Sequence, residues 1–394
     1  MATWLNWSGR HKAKPATLHF IRSEADAAGL AESAGRSGRR VRIAGAGHSH
    51  SRLVPHDDII VDASGLAGII NIDTTAKTAW VYAGSRIYSL GRPLQDAGLA
   101  LANQGDIDRQ AIAGACATGT HGTGKHLKNL SAAVIGARIA LASGELVDCN
   151  AQEHPDLYQA ARLSLGSLGI VTRLQLQLRD AYKLRESGFE TDYTSLVARV
   201  PELIEENDRF EFFWYPRTDQ ATAKVINETL ENPVYPLAVE GRRQAWNYEV
   251  LPNHRPHFHT EMEYSVPADQ GLACLDEIRH LLHNTFTDVS WPVEYRTVAP
   301  DDVWLSMAYE RPTVTISVHQ DVAVDETAYY DACERIFRRY DGRPHWGKVN
   351  YLSGETLASI HPRWQDWWAA RNAADPEGTF LNDYMQTLAP QGRG

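Results

Sequence analysis

Gly45-Ala46-Gly47-His48-Ser49-His50 follows the short strand-like run Val41-Arg42-Ile43-Ala44. Two glycines bracketing a small residue let backbone N–H groups converge on a phosphate, because no Cβ blocks the approach. Many phosphate-binding loops share that much. The histidine directly after the second glycine is the unusual part, since it sets an imidazole beside whatever the loop holds. Alone, the pattern also suits a buried structural histidine or an ordinary turn.

Two further loops extend the reading. Gly114-Ala115-Cys116-Ala117-Thr118-Gly119-Thr120-His121-Gly122-Thr123-Gly124 combines small residues and hydroxyls without Pro, Asp or Asn. That composition favours close contact with an extended ligand over a plain surface loop. Leu165-Gly166-Ser167-Leu168-Gly169-Ile170-Val171-Thr172 is a glycine-punctuated start to a strand. Three such loops between residues 45 and 172 predict a long dinucleotide cradle.

The segments between these loops read as alternating strands and helices. Ser23 is placed to cap a helix that ends near Gly38. Val41–Ala44, Asp58–Asp62 and Ala79–Ala83 read as strands. Ile87, Leu90, Leu94 and Ala97 recur at helical spacing, with Gly98 as the stop. Residues 132–147 read as two strands joined at Ser143-Gly144. Leu174, Leu176 and Leu178 alternate with polar residues, which predicts a half-buried strand. Beyond residue 180, Glu211–Tyr215, Glu261–Val266, Val293–Val298 and Thr313–His319 read as strands. Helices are predicted near 267–283 and 326–340, and again over Pro362–Ala374. This mixture predicts an antiparallel sheet with helices on one face. The Pro-, Asn- and Arg-rich segment 217–260 reads as loop.

Composition narrows the classes. The chain of 394 residues is 43% hydrophobic and 22% charged, with a net charge of -10. Such a charge gives no bulk attraction to nucleic acid or to an anionic membrane. No run has the length of a signal peptide's apolar core or of a membrane helix. Cys116, Cys149, Cys274 and Cys333 are scattered without metal-type spacing, so no metal is expected and the thiols read as reduced. The 11 tryptophans and 16 tyrosines are read mainly as core, with sugar stacking as the alternative for a few.

The three loops together resemble the FAD-dependent oxidases of the vanillyl-alcohol oxidase superfamily. The matching motifs are Gly-x-Gly-His-Ser at 45–49, Ala-Thr-Gly-Thr-His-Gly-Thr-Gly at 117–124 and Ser-Leu-Gly-Ile-Val-Thr at 167–172. Val293-Glu294-Tyr295-Arg296-Thr297-Val298, Trp304-Leu305-Ser306, Ala308-Tyr309 and His345-Trp346-Gly347-Lys348-Val349 resemble the aldonolactone and alditol oxidase branch, most closely the alditol (xylitol) oxidases. The resemblance implies a two-domain α+β fold of the PCMH type. Residues 1–180 would bind FAD, 181–340 would form an antiparallel-sheet substrate cap, and 341–394 would return to the FAD domain and active site.

The resemblance also implies roles. His48 would attach FAD covalently through the flavin 8α-methyl carbon, with His50 as the neighbouring competitor. Gly45, Ala46, Gly47 and Ser49 would meet the diphosphate, and Ala44 is a further cofactor-binding candidate. Gly105, Gly114, Thr118, Gly119, His121, Gly122, Gly169, Ile170 and Lys348 would line the rest of the cofactor. Glu294 and Arg296 are two apart in a strand and so share one face, where a structural ion pair competes with substrate contact. Thr313, Thr315, Ser317 and His319 share one face of the next strand. Glu294, Arg296, Lys348, His319, Ser317 and Asp106 are the candidate catalytic residues. Arg296 and Lys348 would stabilise a developing alkoxide, and a neutral histidine or lysine would accept the proton.

Two positions depart from the alditol oxidases. Ser317 stands where they carry an active-site histidine, with His319 one pleat further on. Asp106 replaces their substrate-contacting serine. Gly105 occupies the position that gates oxygen in this branch, and a glycine there implies an oxidase. The expectation is therefore a cytoplasmic, monomeric FAD-dependent oxidase of a primary CH–OH in alditols such as xylitol or sorbitol. It would take a small polyol or sugar-lactone and molecular oxygen, release hydrogen peroxide, and bind neither nucleic acid nor membrane. Aldonolactone (gulono- or arabinono-1,4-lactone) oxidation or dehydrogenation is the alternative.

Overall fold

A computed structural model describes residues 2–390. The helix Glu24–Ser37 starts where Ser23 accepts a hydrogen bond from Asp26 N–H and stops at Gly38 in the left-handed region (φ 64°). Ala27, Ala31 and Ala34 form its buried stripe and pack on Val41, Ile59 and Val61. Those residues belong to a parallel sheet in which Thr17–Phe20 and Val41–Ala44 flank Ile59–Asp62. The Gly-His loop leaves the end of Val41–Ala44, so the strand fixes where the loop begins.

An antiparallel five-stranded sheet stands beside it, in the order Leu146–Asn150, Val134–Ala140, Ile170–Gln177, Thr78–Tyr82, Ile69–Asp73. Leu174 and Leu176 are buried there as their alternation predicts. The helix Trp364–Ala374 packs back on this half. Trp367 donates from its indole to Leu163 O (3.0 Å) and Arg371 to Ser167 O (3.1 Å). This helix thus buttresses the third glycine loop.

The second half is one eight-stranded sheet. Its order is Gln244–Trp246, Lys183–Asp192, Gln220–Thr229, Arg209–Tyr215, Val293–Val298, Thr313–Asp321, His259–Pro267, Arg343–Pro344. Helices Gly271–Asn284 and Thr327–Arg339 cover one face, burying Cys274, Leu275, Ile278, Tyr330 and Phe337 against Tyr295, Ile316 and Tyr264. Phe337 stacks on Tyr264 at 4.8 Å. Each such side chain contributes roughly 1.5–3 kcal/mol on burial. The sheet therefore draws its stability from this face, which leaves the opposite face free to be polar.

One expectation needs correction. Segment 217–260 is not a loop throughout. Gln220–Thr229 is a ten-residue strand paired on both sides, and Gln244–Trp246 and Asn247–Val250 are a strand and a short helix. Ala221, Ala223 and Lys224 carry little intrinsic strand preference; pairing along Lys183–Asp192 and Arg209–Tyr215 overrides it. All four cysteines are free and buried. Among the described residues, no helix is long and apolar enough to cross a membrane.

Candidate active site

The three glycine loops line one open-mouthed cleft of about 960 Å³, with Gly45, Ala46, Gly47, His48, Ser49, Gly114, Thr118, Gly166 and Gly169 among its walls. Gly47 sits at φ 71°, a turn that a side chain resists. No protein acceptor among the described residues meets the backbone N–H groups of 45–49, whereas His50 N–H reaches Gly347 O at 2.7 Å. Gly114 borders the cleft with nothing within 4 Å of where a Cβ would stand. The protein itself does not demand glycine there. Ser51 Oγ, also on the wall, is buried without a partner. Free N–H groups, an orphaned hydroxyl and open space at a glycine all fit a long phosphate-bearing cofactor.

Arg42 holds this cradle together. It is 1% exposed, and its hydrogen bonds go to backbone carbonyls and the Ser167 hydroxyl. Nε donates to Leu53 O (2.7 Å), one terminal nitrogen to Leu165 O (2.7 Å), and the other to Gly166 O (2.8 Å) and Phe380 O. One guanidinium thus ties the chain after the first loop, the third loop and the C-terminal segment to a single point. Burial, with help from Arg371, pushes its pKa down to about 9.

A second cavity of about 1820 Å³ opens over the polar face of the eight-stranded sheet. Register builds its floor. Glu294 stands opposite Ser317, and Ser317 opposite Glu263; Arg296 stands between Glu211 and Thr315; His319 pairs with Glu261. Directly opposed residues point to the same face, so four strands deliver a row of charged and hydroxyl groups. Arg296 bonds to Glu294 (2.9 Å) and Glu263 (3.0 Å). Glu263 also accepts from Ser317 (2.6 Å) and His121 Nε2 (2.7 Å). Lys348 is ion-paired to Glu261.

The charges are not equivalent. Burial, aided by Asp106, Glu211 and Glu261, raises Glu294 to about 8 against the opposing pull of Arg296. Burial alone would raise Glu261 and Glu263 too, but Lys348 and the histidines around the first, and His121 and Arg296 around the second, hold both well below the carboxylate range. Burial lowers His319 to about 4 against the pull of Glu261, and His48 to about 4 with help from Arg86 and Lys348. Both imidazoles are neutral at pH 7. His319 donates from Nδ1 to Pro292 O (2.8 Å), which leaves the Nε2 lone pair toward the cavity.

The cleft and the cavity meet. His48 and Gln110 line both. Trp7 stacks on His48 at 5.8 Å and forms part of the cavity wall.

The expected residues separate into groups. Glu294, Arg296, His319, Lys348 and Asp106 all reach the cavity. Asp106 is not a free carboxylate, because Arg255 pairs with it at 3.0 Å while lying over Phe213. Ser317 lies under the floor, bonded to Glu263, and does not line the cavity. His50 and Lys348 line the cavity and not the cleft. Ala44, Gly105, Gly119, His121, Gly122 and Ile170 lie outside the cleft lining. A Cβ at Gly122 would fall 2.3 Å from Gln104 O, and one at Gly119 3.1 Å from Met307, so packing explains those glycines. His121 is committed to Glu263 and to Gly122 O. Glu261, Glu263, Arg42 and Arg255 were missed. Alternation of Glu261, Glu263 and Ser265 with Met262, Tyr264 and Val266 was the available signal for the first two.

Known proteins share this organisation. A profile of an FAD-binding domain matches residues 15–150, and a profile of the D-arabinono-1,4-lactone oxidase family matches 174–255 and 234–388. An L-gulono-1,4-lactone dehydrogenase of Mycobacterium tuberculosis is 34% identical, covering 98% of each chain. An alditol oxidase of a Streptomyces species is 30% identical, covering 97% of this chain and 98% of its own. A solved cholesterol oxidase from B. sterolicum superposes with a TM-score of 0.88 at 16% identity, over 98% of this chain and 96% of that one, a likeness of fold. With its glycine cradle opening onto a charged sheet, this chain belongs to the D-arabinono-1,4-lactone oxidase family within the vanillyl-alcohol oxidase superfamily, and is an FAD-dependent oxidoreductase acting on CH–OH groups.

Proposed function

We propose that the chain oxidises a CH–OH group of an aldono-1,4-lactone, with FAD attached to His48. The observation that carries the reading is the junction of cleft and cavity at His48. Bound FAD supplies the two-electron acceptor. Gly45, Ala46, Gly47 and Ser49 would hold its diphosphate through their free N–H groups. The neutral His48 imidazole, stacked on Trp7, is positioned to carry the covalent link.

The remaining work falls to side chains of the floor. The Arg296 guanidinium and the Lys348 ammonium lower the cost of negative charge on the substrate oxygen. Glu263 and Ser317 fix Arg296 from below. His319 Nε2 accepts the hydroxyl proton, since its Nδ1–H is spent on Pro292 O. Trp7, Trp291 and Phe213 offer apolar faces to the C–H side of a sugar ring and exclude water.

Lactone is favoured over alditol by the departures at Asp106 and Ser317 and by the likeness to the lactone dehydrogenase. The alditol reading draws on the 293–298 and 345–349 motifs and on the likeness to the alditol oxidase. Gly105 supports oxygen as the acceptor. Mixing the holoprotein anaerobically with L-gulono-1,4-lactone, and separately with xylitol, tests both. Loss of visible flavin absorbance with the lactone and a slower loss with xylitol supports the reading. Faster reduction by xylitol favours the alditol reading, and no reduction by either overturns both. Peroxide formed on admitting air identifies the acceptor.

A further inference from the structure

Three imidazole nitrogens converge on one carboxylate. Nε2 of His319, His259 and His50 stands 3.7, 3.8 and 4.0 Å from an oxygen of Glu261. These separations are too long for hydrogen bonds. Two of the rings have a fixed tautomer. His319 donates from Nδ1 to Pro292 O at 2.8 Å, and His259 donates from Nδ1 to His257 O at 3.0 Å. A carbonyl only accepts, so in the neutral ring the lone pair lies on Nε2, facing Glu261. The third ring, His50, is 5% exposed and its Nδ1 has no partner. Lone pairs gathered around an anionic carboxylate call for a positive charge among them. In the protein alone, that charge is the Lys348 ammonium on Oε2 of Glu261, the oxygen that His259 and His50 also face, whereas His319 faces Oε1.

We propose that His50, His259 and Glu261, whose ligand atoms lie within 4.8 Å of one another, form a binding site for a divalent transition cation of the zinc class, and that a cation bound there inhibits the enzyme by displacing Lys348 from Glu261. The donor set decides the class. Two imidazoles and one carboxylate, with a fourth position left to water, suit zinc, cobalt, nickel or copper, whereas calcium and magnesium prefer an all-oxygen shell. The spacing decides feasibility. Ligands of a tetrahedral ion with bonds of about 2.0–2.1 Å stand about 3.3 Å apart, so the Glu261 pairs need to close by less than about 1 Å. The outer bond of His259 to the His257 carbonyl is the type that orients a metal-binding imidazole. All three residues line the open cavity, which provides the path in. His50 lies far from His259 and Glu261 along the chain, so no ligand spacing marks the set in the sequence. Binding at this site does not depend on which substrate the enzyme uses.

The test uses the holoprotein with any affinity tag removed and metals stripped by chelator. Zinc is titrated by calorimetry, cobalt by its visible ligand-field bands, and turnover is followed alongside. The expected result is one ion per chain at micromolar affinity, with turnover lost in proportion to occupancy. His259→Ala weakens binding tenfold or more. Lys348→Met tightens it, because the competing ammonium is gone, and this second variant separates a metal site from a merely structural histidine cluster. Flavin absorbance reports that both variants fold. Absence of binding at millimolar zinc overturns the proposal. So does an affinity that neither variant moves, or full turnover with the ion bound.

Discussion

The two halves of the active site are made by different means. The proposed flavin cradle is built from backbone and glycine within three loops, and the buried Arg42 beside it meets carbonyl oxygens and the Ser167 hydroxyl rather than a carboxylate. The cavity floor is built from side chains, with Glu261, Glu263, Glu294 and Arg296 brought together by strand register. A cradle of N–H groups tolerates substitution wherever side chains point away. A floor of buried charges tolerates little, since each charge is another's partner.

The contrast can be broken most severely at Arg296. Arg296→Leu leaves Glu294 and Glu263 without their shared cation. Losing one partner of a buried pair costs about 3–5 kcal/mol, and losing a preorganised donor costs about 10²–10³-fold in kcat. Thermal unfolding and stopped-flow flavin reduction are expected to report both losses, while flavin content in the folded fraction stays near wild type.

The cradle offers the complementary pair. Arg42→Met orphans the carbonyls of Gly166 and Phe380, at about 1–3 kcal/mol for each one that water does not reach, and leaves Leu165 O and Leu53 O only their bonds from Ser167 Oγ and Asn382 Nδ2. A lower melting temperature and loss of flavin are expected together. Gly114→Ala separates them, because no atom beyond its chain neighbours and its own helix backbone lies within 4 Å of the new methyl group. The apoprotein is expected to melt at or slightly above the wild-type temperature, helped by up to about 1 kcal/mol of helix propensity, while flavin loading falls. Unchanged loading would remove Gly114 from the cradle.

A smaller effect tests the floor's electrostatics. Glu294 titrates near 8 in the fold and near 4.5 when free, with Arg296, Asp106, Glu211 and Glu261 as the charged groups acting on it. Between those values the folded chain keeps a proton that the unfolded chain releases. This group's contribution is full below about pH 4.5 and is lost as pH rises through 8. The stability advantage of the wild type over Glu294→Gln is expected to shrink from pH 5 to pH 9. Parallel melting curves across that range would place the Glu294 carboxyl at an ordinary value.

The same contrast explains what could be read from the sequence. The cradle is local, so Gly45–Ser49, Gly114 and Gly169 are legible as runs of small residues, and the capped helix before Gly38 follows from Ser23 and its neighbours. Glu294 and Arg296 are legible because they lie two apart in one strand. Glu263 is not, because its meaning depends on standing opposite Ser317 on another strand 54 residues away. Arg255 is hidden for a similar reason: it meets Asp106 only after the chain folds back across 149 residues. The strand Gln220–Thr229 was missed because its neighbours in the sheet, not its own residues, impose its conformation.

The account turns on His48 as the point where cofactor and substrate meet. Acid precipitation of the denatured holoprotein, followed by peptide mapping of the pellet, tests this most directly. A yellow pellet whose flavin-bearing peptide carries the modification on His48 is the predicted result. A colourless pellet beneath a yellow supernatant, or a flavin mapped to His50, would contradict it.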